Sequence, residues 1–214
     1  MLSILGSSDP QLLRMATPSL TATDVGSPRL AGATKLMEDD IEITAGGKDI
    51  WEKRDEFHFA QVQVTGDFTL SACLASLTLA DLYTKAGLML RASLDAGAEH
   101  AFLLAFGDNK VRNKNNGGIE FQYRTKPNVA CTGVYPSQPL PVQPDFPVNF
   151  PNVWLRLSRK GSTITAENSQ DGHTWRIFTV HQQVLPATAY LGLAVTSHKV
   201  NRTVCAVFRQ VVLS

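Results

Sequence analysis

A chain of 214 residues, 43% apolar and 18% charged, can bury a solid core, which excludes global disorder. Its formal net charge of +1 gives no electrostatic case for nucleic acid or an anionic membrane surface as partner. No apolar run is long enough to span a bilayer. The N-terminus has no basic leader and Asp9-Pro10 breaks its apolar run, so it reads as a poor export signal. Cys73, Cys131 and Cys205 are too few and too scattered for a disulfide framework or a zinc site. An odd cysteine count without an export signal suits a reducing, cytoplasmic setting.

Residues 1–22 are rich in Ser, Thr and Pro and read as an N-terminal extension with at most one helical turn. From 23 to 214 the pattern is one all-β domain. Strands are expected at Ala33–Met37 and Ile41–Thr44, joined by an acidic turn, with Trp51 as a core plug beyond them. Glu56–Val64 is a long strand with Phe57 and Phe59 on one face, His58 on the other, and a bulge near Gln61. Phe68–Leu74 alternates cleanly. Lys85–Arg91 is the central strand, and 101–106 is apolar on both faces, as for a strand covered from both sides. Ile119, Phe121 and Tyr123 alternate with Glu120, Gln122 and Arg124. Residues 125–151 hold seven of the eleven prolines. Proline lacks the ladder donor, so this is an extended loop, either a stiff strap over the sheet through Tyr135, Phe146 and Phe150 or a contact surface. Val153–Ser158, Thr163–Glu167, a strand beyond a type I′ turn at Asp171-Gly172, Tyr190–Ser197 and Thr203–Leu213 complete eleven or twelve strands.

Several stretches together carry a resemblance: Asp49-Ile50-Trp51, Asp55-Glu56-Phe57-His58-Phe59, KAGLMLRASLDAGAEHA at 85–101, Val153-Trp154-Leu155-Arg156-Leu157, SQDGHTW at 169–175 and YLGLAVTSH at 190–198. In that order they resemble the concanavalin A-like lectin/glucanase family of the type named after a fungal regulator of enolase. There the corresponding runs read close to DIW, DEFHF, KAGVMIRESLDAGSPHA, VWLRL, SSDGxTW and YVGLAVTSH. The resemblance implies a jelly-roll sandwich of two curved antiparallel sheets. It further implies carbohydrate binding or a regulatory role in carbohydrate metabolism. The long 125–151 loop departs from the short-loop members.

The spacing of a catalytic site is not present. Glycosidases need two carboxylates facing each other across a cleft, and Glu120 is the only carboxylate on its strand. The five histidines have no H-x-H or HExxH spacing, so zinc is not expected; with no glycine-rich phosphate loop either, no cofactor is expected. Asp95, Glu99 and His100 form a polar group after the central strand that does not assemble a calcium site. What remains is a polar face. His58, Arg91, Gln122, Arg124 and Arg156 each oppose an apolar row, His198 ends a strand, and Trp154 lies beside them. These seven are either the ordinary solvated face of an antiparallel sheet or, gathered on one concave sheet in the strand order that the resemblance implies, contacts for a sugar or a small anion, since guanidinium forks suit carboxylate or phosphate and aromatic faces suit sugar rings.

The expected function is therefore non-catalytic binding of a carbohydrate or small anionic metabolite. A protein-interaction module, with a partner such as a glycolytic enzyme, is the alternative. A hydrolase built on Glu120 is the third reading.

Overall fold

A computed structural model describes residues 18–112, 115, 117–136 and 144–214. The strands among them are β1 (Thr21–Val25), β2 (Ala33–Met37), β3 (Asp40–Ala45), β4 (Phe57–Thr65), β5 (Phe68–Leu77), β6 (Lys85–Arg91), β7 (His100–Phe106), β8 (Ile119–Arg124), β9 (Thr132–Val134), β10 (Val153–Lys160), β11 (Thr163–Ser169), β12 (Arg176–Gln182), β13 (Thr188–Thr196) and β14 (Val204–Leu213). They form two seven-stranded antiparallel sheets in a jelly-roll-like arrangement. The first runs β1-β4-β13-β6-β7-β8-β9 and the second β12-β11-β10-β5-β14-β3-β2. No helix among the described residues is long and apolar enough to cross a membrane.

Two of these strands escape the sequence pattern. β1 takes in Thr21 and Ala22, the last residues of the expected extension; residues 1–17, with the expected helical turn, lie outside the described residues. β9 lies in the proline-rich loop and is three residues long. Both are edge strands with little apolar content, TATDV and TGV, so no apolar row marks them in the sequence. The described part of the loop otherwise behaves as a strap. Phe146 packs edge-on against Phe178 at 4.8 Å, and both Phe146 and Phe150 rest on the core.

Side-chain parity divides the first sheet into two faces. Leu88 and Leu90 of β6, Leu103 of β7, Phe121 of β8, and Leu191, Leu193 and Val195 of β13 meet Leu70, Leu74, Leu155, Leu157, Ile43 and Phe208 of the second sheet in the main core. The opposite face holds a second apolar cluster: Phe57, Phe59, Met89, Phe102, Leu104, Phe106 and Ala194 with Val25 and Ile50. β6 and β7 are buried throughout, because loops cover this outer face.

That double coverage reverses the expected faces of β4. Its first five residues are all buried, so the two phenylalanines do not mark the inter-sheet side. Phe57 and Phe59 point outward into the second cluster, while His58 pairs in register with Val195 and faces the second sheet. The bulge expected near Gln61 is absent, since β4 keeps continuous register with β13 through that residue. Irregularities fall instead between β11 and β12 and between β5 and β14. The hairpin after β11 has positive φ only at Gly172, so it is not a type I′ turn. The Asp171 carboxylate closes it by accepting from the backbone N–H groups of His173 and Thr174 at 2.8 and 2.7 Å.

Candidate functional site: a loop-covered pocket on the outer face of the first sheet

The seven expected contact residues separate into four places. Trp154 and Arg156 are on β10, in the second sheet, so they do not share a face with the others. Arg156 is spent locally: its Nε and one terminal nitrogen each donate to Glu167 at 2.6 Å, and its guanidinium lies 4.2 Å over the Trp175 ring. His58 is a cross-sheet clip. Its Nδ1 is 2.7 Å from Asp24 Oδ1 and its Nε2 2.9 Å from Thr34 Oγ1, tying β4 to β1 and to β2 of the second sheet.

Arg91 and Arg124 are on the outer face but fully buried. Both close on Asp55, which is also fully buried. Arg124 grips it in two-pronged fashion at 2.6 and 2.7 Å, and Arg91 donates to Oδ2 at 2.7 Å. The Arg91 guanidinium also lies 5.4 Å over the Phe57 ring, and Arg124 reaches the Val129, Ala98 and Glu52 carbonyls. Two guanidiniums around one carboxylate bind the loop before β4 to the sheet. Burial works against Asp55 ionisation, but the Arg124 hydrogen bonds and the charges of His100 and the two arginines hold its carboxyl below the usual range. His100 sits in this hub rather than beside Asp95 and Glu99. Burial drives its pKa down to about 3, against the pull of Asp55 and with the two arginines adding to the fall.

Gln122 and His198 alone among the seven line a cavity of about 220 Å³. Its other walls are Asp49, Trp51, Tyr83, Lys85, Phe106, Arg112, Glu120 and Tyr135. The floor comes from neighbouring strands: Lys85 pairs in register with Phe106 across β6 and β7, and Glu120 and Gln122 follow on β8. The walls come from loops. Trp51 is half-buried at the cavity, not a core plug, and its carbonyl accepts from the Cys131 N–H at 2.7 Å.

A continuous hydrogen-bonded chain runs across the floor. Asn115 Nδ2 donates to Glu120 Oε2 at 3.0 Å, and Gln122 Nε2 donates to Glu120 Oε1 at 2.7 Å. Lys85 Nζ then donates to Gln122 Oε1 at 3.4 Å and lies 2.9 Å from Asp49 Oδ1. His198 closes the chain. Its Nε2 is 3.3 Å from Asp49 Oδ2, and its Nδ1 is 3.0 Å from Asp81 Oδ1 without hydrogen-bond alignment. Burial opposes Asp49 ionisation, but the Lys85 charge and the contacts with His198 and Lys85 hold it well below the usual carboxylate range. Side chains fixed in this way are pre-oriented hydrogen-bonding groups. No group of three or more His, Cys, Asp and Glu among the described residues is placed to hold a metal ion.

Part of this site was readable from parity. Lys85 shares the face of Arg91, and Glu120 that of Gln122 and Arg124. Asp49, Trp51, Tyr83 and Tyr135 lie on loops, where no periodicity points to a face.

No protein-family model matches the chain, and no curated protein matches it. Solved structures share its fold. A functionally unknown protein from Saccharomyces cerevisiae superposes with a TM-score of 0.66 at 14% identity, over 92% of this chain and 96% of its own. The carbohydrate binding module CBM66 from Bacillus subtilis gives 0.55 at 15% identity, over 90% and 94%. The alginate lyase from Klebsiella pneumoniae gives 0.52 at 10% identity, over 85% and 83%. The fold thus occurs in a binding module and in a lyase, and does not by itself decide function.

Proposed function

We propose that this protein binds carbohydrate, without turnover, in the pocket on the outer face of its first sheet. One observation carries this reading: four aromatic side chains, Trp51, Tyr83, Phe106 and Tyr135, enclose the same cavity as the fixed chain of Glu120, Gln122, Lys85 and Asp49. A sugar presents apolar ring faces to aromatic surfaces and hydroxyls to planar acceptors and amides. Pockets for drug-sized ligands span roughly 300–1,000 Å³, so a cavity of about 220 Å³ suits a smaller ligand such as a single ring. The likeness of fold to a module named as carbohydrate-binding supports the reading. Asp49 and Glu120 are held by Lys85 and by amides, which suits recognition better than proton transfer. A panel of mono- and oligosaccharides titrated by calorimetry tests it. At least one sugar should bind, and Trp51→Ala should weaken that binding about tenfold; binding that ignores Trp51→Ala would contradict the site.

A second reading rests on the edge strand β12, which leaves Ile177 and Val180 exposed at 59% and 53%. Together with the resemblance to the enolase-regulator type, it supports a cytoplasmic interaction module with a protein partner such as a glycolytic enzyme. Co-sedimentation with purified enolase, abolished by Ile177→Lys with Val180→Lys, would favour it; no complex with the unmodified chain would exclude it.

A further inference from the structure

The cations around the pocket are, among the described residues, already engaged. The three Lys85 Nζ protons face Asp49 Oδ1 at 2.9 Å, the Ile50 carbonyl at 3.3 Å and Gln122 Oε1 at 3.4 Å. Arg112 donates through Nε to the Leu82 carbonyl at 2.6 Å and through one terminal nitrogen to the Asp108 and Lys110 carbonyls at 3.0 and 2.6 Å. Its other terminal nitrogen reaches the Asp108 carboxylate. Its flat face lies 4.4 Å over the Phe106 ring. His198 stands between Asp49 and Asp81. Arg91 and Arg124 are closed over Asp55, and Arg156 is on the other sheet. Among the described residues, no guanidinium fork is left free for a ligand in the cavity.

Glu120 is the opposite case. It is 4% exposed and lines the cavity. Among the described residues its two oxygens accept from the neutral amides of Asn115 and Gln122 alone, and no cation pairs with it. A carboxylate has about four lone-pair sites, so two bonds leave acceptor capacity for an incoming donor. A sugar hydroxyl supplies that donor. A carboxylate or phosphate supplies none, and would bring like charge against a buried anion in a low dielectric.

We infer that the pocket selects an uncharged sugar ring and rejects the uronate or phosphorylated counterpart of the same sugar. This rests on the carbohydrate reading and names its ligand class. Glu120 is the specificity-determining residue, and Lys85, neutralised by Asp49, keeps the floor from attracting anions.

The test is calorimetric titration of the full chain, at fixed ionic strength, with glucose, galactose, mannose and fructose. Glucuronate, galacturonate, glucose 6-phosphate and fructose 6-phosphate form the second arm. The best neutral sugar should bind at least tenfold more tightly than its charged counterpart. Glu120→Gln should narrow that gap to under threefold. Asp49→Asn, which frees Lys85, should narrow it too, so one poorly folded variant does not end the test. A charged sugar that binds as tightly as its neutral parent, or a gap unchanged in both variants, overturns the selectivity and leaves the carbohydrate reading standing. No binding by any sugar in either arm, oligosaccharides included, overturns both.

Discussion

Lys85 Nζ lies 2.9 Å from Asp49 Oδ1, joining the floor of the pocket to the loop that walls it. The lysine side chain is 2% exposed and the aspartate 21%. Removing one partner of a buried pair leaves the other uncompensated, at about 3–5 kcal/mol. Because Asp49 retains some solvent, Lys85→Met should cost less, about 2–3 kcal/mol. Urea unfolding measures this. A loss under about 0.5 kcal/mol, the scale of an ordinary surface substitution, would mean that the pair is not holding the loop.

Asp55 should be the more sensitive position. Asp55→Asn strands two fully buried guanidiniums and should destabilise by at least the ~3–5 kcal/mol of a broken buried pair. Arg91→Met should cost less than Arg124→Met, because the two-pronged Arg124–Asp55 pair survives in the first and is lost in the second. The order Asp55→Asn, Arg124→Met, Arg91→Met in denaturant midpoints checks this, and an inverted order would contradict the hub.

Acid should act in two stages. His100 is depressed from an ordinary 6.5 to about 3, and His181 is also lowered, by its own burial against a weaker opposing hydrogen bond from Gln183. Below pH ~6.5 the unfolded chain therefore binds protons that the folded chain refuses, and stability falls as pH drops toward 3. Asp49 and Asp55 are lowered from 3.8. Their contribution is fully present above that value and is lost only as pH falls through the folded-state values. Melting temperature measured from pH 8 to 3 should decline from about 6.5. His100→Asn should remove much of the decline between 6.5 and 4 and leave the more acidic stage intact.

Arg156 should be indifferent to ligand. It bridges Glu167 and Trp175 on the second sheet, and its side chain is 28% exposed. Arg156→Ala should leave sugar affinity within twofold while costing up to about 1 kcal/mol of stability, the range of a partly exposed pair.

The sequence is explicit about strands and less so about faces. Alternation, apolar runs and turn signals together located twelve of the fourteen strands among the described residues. They failed at β1 and β9, which are short edges. Parity within each strand, with the strand order that the resemblance implies, put Arg91, Gln122 and Arg124 on one face, where the register places them. It misplaced His58, because β4 is apolar on both sides where the loop covers it, and a two-phenylalanine row marks the core only when one face is wet. It also could not assign β10 to a sheet, so Arg156 and Trp154 joined a trough to which they do not belong. The loop residues Asp49, Trp51, Tyr83 and Tyr135 come to the pocket through tertiary packing, which no local period encodes.

The measurement that bears most directly on the pocket is a thermal-shift titration of the unmodified chain, Gln122→Ala and Arg156→Ala against a saccharide panel. Binding to the native state alone raises the melting temperature by mass action. A sugar that raises it in the unmodified chain and in Arg156→Ala, but not in Gln122→Ala, is the result this account predicts. A shift that persists in Gln122→Ala and disappears in Arg156→Ala would place the site on the other sheet and contradict it.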